Sequence, residues 1–360
     1  MLLKNDRLPE LLQSLSAEQR VYVPSNTSNT SAGVSRFALY GTGVEPDFEL
    51  VNTTMPPKDL LFPQTQKMYR YGFDTEGLPF INAQHDGDEV LLFGIRSCDA
   101  RSIECMDDVF LTKGFVDEFY QTRREKLITV ALGCSHVAET CFCDSMGLDA
   151  NRAPSADVQL TAVSDGYEVH AQTEKGTTAL EAWRPFLTET AAPEASPSVP
   201  NVQCTLKVDM TGIKEKLDLM FDHPLWDEIS KKCITCGTCT YVCPTCHCFD
   251  ISQENKMNAG ERFRCWDSCM FSAYTEMAGN HNPRAEKMPR VRQRFMHKLC
   301  FFEDRYGKSL CVGCGRCVEK CPVALDITML IDQIGALELG AAGQPGATES
   351  VTEGGSHVAH

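Results

Sequence analysis

The chain has 360 residues, more than a single domain commonly needs, and 34 Lys+Arg against 49 Asp+Glu leave a formal net charge of -15. That balance argues against nucleic acid or an anionic membrane as the main partner, since both repel an acidic surface. Its 19 cysteines follow a start that is charged where a secretory signal is apolar, which argues against a disulfide scaffold and for metal in a reducing, cytoplasmic compartment.

No apolar run approaches the roughly 20 residues of a membrane span, so membrane insertion is not expected. In chain order, Val21-Tyr22-Val23 and Phe37-Ala38-Leu39-Tyr40 read as early strands. Val90 to Ile95 and Leu127 to Leu132 are continuous apolar runs of the kind found in buried parallel strands. The residues between them, Asp99 to Met106 and Val109 to Tyr120, predict a helical crossover and hence one βαβ unit. Val158, Leu160 and Ala162 alternate with polar neighbours, as do Tyr167, Val169 and Ala171, and Asp165-Gly166 between them predicts a hairpin. Glu194 to Pro200 reads as a linker. Ile213, Leu217, Met220 and Phe221 then mark a helical face that breaks at Pro224.

The fold class expected is α+β. Residues 1–210 form an N-terminal α/β domain, 211–335 a mostly helical two-cluster ferredoxin-like domain, and 336–360, rich in Gly, Ala, Thr and Ser, a flexible tail.

The second of these domains carries the densest chemistry. Cys233-Ile-Thr-Cys236-Gly-Thr-Cys239-Thr-Tyr-Val-Cys243-Pro244 and Cys311-Val-Gly-Cys314-Gly-Arg-Cys317-Val-Glu-Lys-Cys321-Pro322 are the same CxxCxxCxxxCP run, displaced by 78 positions. Three thiolates in a tight loop can cap three iron corners of a 4Fe-4S cubane, and the fourth reaches the neighbouring cluster. By that rule Cys233, Cys236, Cys239 and Cys321 hold one cluster, and Cys311, Cys314, Cys317 and Cys243 the other. Gly237 and Gly315 let the backbone approach the sulfides, and Pro244 and Pro322 set the exit of the chain. Structural zinc is the alternative that CxxC pairs leave open, but zinc ribbons need neither the third CxxC step nor the repeat.

The segment between the two runs contains Cys246-His247-Cys248-Phe249-Asp250, Cys265-Trp266-Asp267-Ser268-Cys269, Ala278 to Arg284 and Arg292 to Lys298. With Phe93-Gly94-Ile95-Arg96-Ser97-Cys98-Asp99 and Thr140 to Gly147, these stretches resemble the dicluster iron–sulfur beta subunit family of soluble hydrogenases (sulfhydrogenases), which includes the corresponding iron–sulfur component of anaerobic sulfite reductase. The resemblance covers roughly residues 55 to 335. It implies an electron relay between a flavin subunit that binds NAD(P)H and a catalytic redox partner that reduces protons, sulfite, a disulfide or ferredoxin. It is also compatible with anaerobic metabolism and with an electron-bifurcating complex.

A third centre is expected at the carboxyl edge of the βαβ unit, where Cys98 and Cys134 follow adjacent strands and Cys141 and Cys143 arrive in the next loop. An iron–sulfur cluster, a zinc ion and metal-free thiols are the alternatives. His136 and Asp144 either support these thiols or serve a surface loop, and Arg96 either balances their charge or pairs with Asp99 or Glu104. Cys246, Cys248, Cys265 and Cys269 read either as a metal quartet or as small buried residues. Cys105, Cys204 and Cys300 read as core, and His281 and Arg284 as loop residues. No GxGxxG after a strand, P-loop or Ser/His/Asp set is present, so no catalytic residue is assigned. The function expected is therefore electron transfer inside a cytoplasmic oxidoreductase assembly, without independent catalysis. The alternatives are a reductase whose N-terminal metal centre acts on a sulfur species, and a structural or redox-sensing protein.

Overall fold

The structure, a computed structural model, describes residues 1–26, 34–41, 43–85, 87–189 and 202–339. The linker expected at 194–200 and the tail beyond residue 339 lie outside the described residues. Strands β1 (Leu2–Lys4), β2 (Arg20–Ser25), β3 (Arg36–Leu39), β4 (Thr65–Phe73), β5 (Pro79–Ala83), β6 (Val90–Ile95), β7 (Leu127–Leu132), β8 (Val158–Val163), β9 (Gly166–Ala171), β10 (Phe249–Lys256) and β11 (Ala259–Trp266) form two sheets. The larger has the order β1-β9-β8-β7-β6-β2-β3, with β2, β6, β7 and β8 mutually parallel. The smaller, β10-β11-β4-β5, is antiparallel throughout.

The βαβ unit is present. Between β6 and β7 run the helices Ser97–Leu111 and Glu118–Glu125, the second capped by the Asp117 side chain. Apart from Thr129, which donates to Asp157, both strands are apolar because both faces of the sheet are covered. Leu91 and Phe93 face a core that includes Leu11, Leu15 and Trp183, whereas Leu92 faces the crossover helix with Ile103 and Met106. Strict alternation would return Ile95 to the first core, yet it packs in the second. The phase changes at Gly94, where the β6–β7 register shifts and φ is +88°. A Cβ there would stand 3.1 Å from the Phe48 ring, so both the backbone conformation and the space select glycine. The expected hairpin is β8–β9, which pairs antiparallel and buries Val158, Leu160 and Val169.

The helical core of the later segment gathers Ile213, Leu217, Trp226, Phe295, Leu299, Leu330 and Ile331. The expected boundary at residue 210 is nevertheless crossed by a sheet, since β11 pairs with β4 along most of its length. Arg264, buried on β11, ties this join: it donates to Gln66 and Asp117 and lies over the Phe62, Phe110 and Phe249 rings.

A second tie is ionic. Arg316, inside the second cysteine run, is paired through both terminal nitrogens with Asp99 in the first turn of the crossover helix, at 2.8 and 3.1 Å, and donates to the Thr53 carbonyl at 2.7 Å. Both side chains are at most 2% exposed. Removing one partner of such a pair leaves an uncompensated buried charge, a cost of about 3–5 kcal/mol. Asp99→Ala should therefore lower stability by about that amount, read as an earlier midpoint in urea by far-UV circular dichroism. Asp99→Ala combined with Arg316→Met should be less destabilised than Asp99→Ala alone.

Candidate metal centres

The first cysteine run begins where the helix Leu225–Lys232 ends, with Cys233 extended and Thr235 and Gly237 both at positive φ. This winding brings three thiols round one cavity, which Cys321 completes from the second run. Cys233, Cys236, Cys239 and Cys321 line it together with Met270, Val291, Arg294, Phe295 and Leu325. The Thr235 amide donates to Cys233 Sγ at 3.4 Å and the Leu325 amide to Cys321 Sγ at 3.3 Å. Amide donors aimed at sulfur suit thiolates that carry charge.

The second run has the same geometry, with Gly313 and Gly315 at positive φ before the helical turn Arg316–Glu319. Burial raises the Cys311 thiol to about 12 and raises Cys314 and Cys317 too, and in all three cases Cys243 of the first run is among the neighbouring sulfurs that add to the effect. Cys243 itself is held well below the ordinary thiol range by contact with Cys246 and by Lys298, whose Nζ is 3.2 Å from its Sγ. The structure thus brings together both quartets expected from the spacing.

Four buried cations accompany these sulfurs. Burial alone would lower Arg294, yet the sulfurs of Cys239 and Cys317, one from each quartet, hold it raised. Its Nε and Nη2 have no hydrogen-bond partner among the described residues. Lys298, one helical turn further on, is likewise held up against burial by Cys243, Cys246 and Cys311. At this point the helix Lys287–Met296 widens into a π turn, His297–Phe301, a distortion common at functional sites. Lys58 donates to the Thr240 and Cys246 carbonyls and lies 4.1 Å from the Trp266 ring centre, and Arg316 is the fourth. A guanidinium with orphaned N–H groups, amides aimed at sulfur and all-thiol donor sets fit iron–sulfur clusters.

Sequence reasoning missed these cations as a set. The i, i+4 spacing of Arg294 and Lys298, just ahead of the second run, is the signal that could have found two of them. Lys58 had no local signal.

At the N-terminal edge, Cys134, Cys141 and Cys143 are buried together, as expected. Cys204, read as core, is buried, and the structure adds that its Sγ is 3.7 Å from Cys143 Sγ and that it shares the packing of the other three. Cys98 packs instead against Cys314 and Val312. Asn52 stands between, its amide reaching the Cys314 carbonyl at 2.8 Å and Cys141 Sγ at 3.6 Å while Cys98 donates to its Oδ1. Asp144 accepts from the Cys204 amide at 2.9 Å and pairs with Lys207, so it positions Cys204, whereas His136 is an exposed loop residue beside Ser135. Arg96 pairs with neither Asp99 nor Glu104. It is buried and donates to the carbonyls of Phe48, Leu50, Leu132 and Gly133, beside Cys134.

The insert quartet does not come together. Cys246 contacts Cys243, Cys248 contacts Cys269 and Tyr274, and Cys265 lies apart on β11 with Asp250 and Asp267 as its charged neighbours. Cys105 packs with Phe302 and Leu310, and Cys300 is buried and donates to Asp218. His281 and Arg284 bond within their own loop.

Residues 232–325, which contain both cysteine runs, match the family described as the 4Fe-4S dicluster domain. The similarity extends far beyond that segment: the chain is 29% identical over 340 residues to sulfhydrogenase 2 subunit beta of Pyrococcus furiosus, covering 92% of this chain and 97% of that protein. The resemblance to the iron–sulfur beta subunit family therefore holds along almost the whole length. No solved structure matches the chain.

The approach of the second run to the N-terminal domain generates a test. A Cβ on Gly315 would be 2.4 Å from the Thr140 carbonyl oxygen, a backbone atom, whereas on Gly237 it would meet the Phe271 ring at 2.7 Å, and a side chain can turn away. Both positions also require positive φ. Gly315→Ala should cost roughly 2–3 kcal/mol and Gly237→Ala less, compared by urea denaturation of the two variants.

Proposed function

We propose that this chain is the electron-relay subunit of a multisubunit cytoplasmic oxidoreductase, with no independent catalysis. One 4Fe-4S cluster is held by Cys233, Cys236, Cys239 and Cys321, and the other by Cys311, Cys314, Cys317 and Cys243. When bound, such clusters supply one-electron chemistry with little geometric change. The observation that carries the reading is the exchange of fourth cysteines. Cys321 lines the cavity of the first run, and Cys243 is a charged neighbour of all three cysteines of the second.

The residues around the sulfurs suit a relay rather than a reaction. The cavity wall is apolar apart from Arg294 and the threonines of the loop, which limits water and favours tuning by fixed charges. Arg294 faces both quartets and stabilises added negative charge at either. Lys298 does so at the second. A protein of this kind needs neighbours, and the relative's name as a sulfhydrogenase subunit supports membership of a hydrogenase-type complex. The neighbours proposed are a flavin subunit that binds NAD(P)H and a catalytic subunit of a hydrogenase, a sulfite or disulfide reductase, or a bifurcating complex. No helix among the described residues is long and apolar enough to cross a membrane. Residues 1–210 brace the dicluster unit of 211–335 through the Asp99–Arg316 pair and the shared sheet.

Anaerobically purified chain should contain at least about eight irons and bleach reversibly with a low-potential reductant. It should not sustain turnover of sulfite or a disulfide with a reduced dye; steady turnover would instead make the chain a reductase in its own right. In the reconstituted complex, Cys236→Ser and Cys314→Ser should each cut electron flux from NAD(P)H, while Cys105→Ser should not. Lys298→Met removes a positive charge beside Cys243 and so makes reduction harder. The potential of the second cluster, titrated by electron paramagnetic resonance, should fall by on the order of 100 mV.

A further inference from the structure

We propose that Cys134, Cys141, Cys143 and Cys204 hold a third 4Fe-4S cluster, and that the three centres lie in a row with the Cys311 quartet in the middle. The inference rests on the relay reading above and extends it to a site outside the two cysteine runs.

The donor set comes first. Four buried thiols from two separate segments, the β7–β8 connection and the stretch around Cys204, converge, and no disulfide joins any of them. Cys143 Sγ and Cys204 Sγ are 3.7 Å apart, and the Asn52 amide points at Cys141 Sγ from 3.6 Å. Buried thiols gathered in this way without a disulfide suit a bound cation that takes them as thiolates.

Charge agrees. Arg96 is buried beside Cys134 with only carbonyls as partners, and among the described residues it has no ion pair. A buried guanidinium without a carboxylate is costly unless a negative group lies near, and a thiolate-bound cluster is that group.

Position favours a cluster over zinc. The thiols lie directly against the second cysteine run, with Cys141 Sγ 3.9 Å from the Cys314 carbonyl oxygen, where redox-inert zinc would carry no electron and an iron–sulfur centre extends the relay.

Position sets the order. The loop that carries Cys141 and Cys143 packs on the second cysteine run: the Phe142 amide donates to the Gly313 carbonyl at 2.9 Å, and Cys141 Sγ is 3.9 Å from the Cys314 carbonyl oxygen. A Cβ on Gly313 would fall 2.5 Å from Cys143 Cα. On its other side the Cys311 quartet shares Arg294 and the exchanged Cys243 with the first run. Cys98, at the seam beside Cys314, is a neighbour of the third site and not one of its ligands.

Iron content and electron paramagnetic resonance of the anaerobically purified chain test this. Wild type and Cys98→Ser should hold about twelve irons, and Cys204→Ser and Cys143→Ala about eight. In the latter two, the magnetic interaction between the first and second clusters should persist while that between the second and third disappears. Survival of the two remaining clusters shows that those variants fold. About eight irons in wild type, unchanged in Cys204→Ser but reduced in Cys236→Ser, would overturn the third cluster and leave the relay reading standing. Zinc lost from Cys204→Ser in place of iron would overturn it too. Loss of four irons from Cys204→Ser with none from Cys236→Ser would support the third centre and sink the dicluster assignment instead.

Discussion

Thiolates are unstable as free charges in a protein interior, and the arrangement of this molecule follows from that constraint. Transfer of an anionic sulfur from water into a low-dielectric site must be offset by cations and N–H donors placed in advance. Arg294 and Lys298 lie on one helix face beside the two quartets, Lys58 reaches in from the N-terminal half, and Arg316 is carried by the second run itself. Each is buried, and each makes sense only in company with the sulfurs or with a carboxylate brought from elsewhere in the chain.

The same constraint explains why the two halves interlock. The second run is short and rich in glycine, so it has little side-chain mass with which to exclude water. The Thr140 to Cys143 loop covers it so closely that a single added carbon at Gly313 or Gly315 would meet backbone. The strand pairing of β4 with β11 and the Asp99–Arg316 pair hold that cover in place. The parallel sheet presents the carboxyl ends of β6 and β7 to this seam, where open α/β sheets commonly bind ligands. The bulge at Gly94 ends β6 just before Arg96 and Cys98.

Much of this was legible in the residues. The βαβ unit and the β8–β9 hairpin follow from local apolar periodicity, and periodicity is a property of neighbouring residues. The two cysteine runs follow from fixed short spacings, and even the approach of Cys321 to the first run and of Cys243 to the second is implied by the repeat. Cys204 was not legible. Its partner Cys143 is 61 positions away, and nothing in Asn201 to Lys207 sets that thiol apart from an ordinary buried cysteine. The insert quartet shows the opposite failure: Cys246, Cys248, Cys265 and Cys269 have suggestive spacing, yet β10 and β11 carry Cys265 away from the rest.

By itself the amino-acid order determined what short-range chemistry can determine, namely the two thiolate loops, their glycine turns, the βαβ segment and the acidic, cysteine-rich character of the chain. Tertiary structure decided which distant groups share a site: Cys204 with Cys143, Lys58 with Cys246, Asp99 with Arg316, Arg294 between two quartets. The physical reason is that ligand spacing within a loop is set by bond geometry over a few residues. Charge compensation acts through space and is indifferent to separation along the chain.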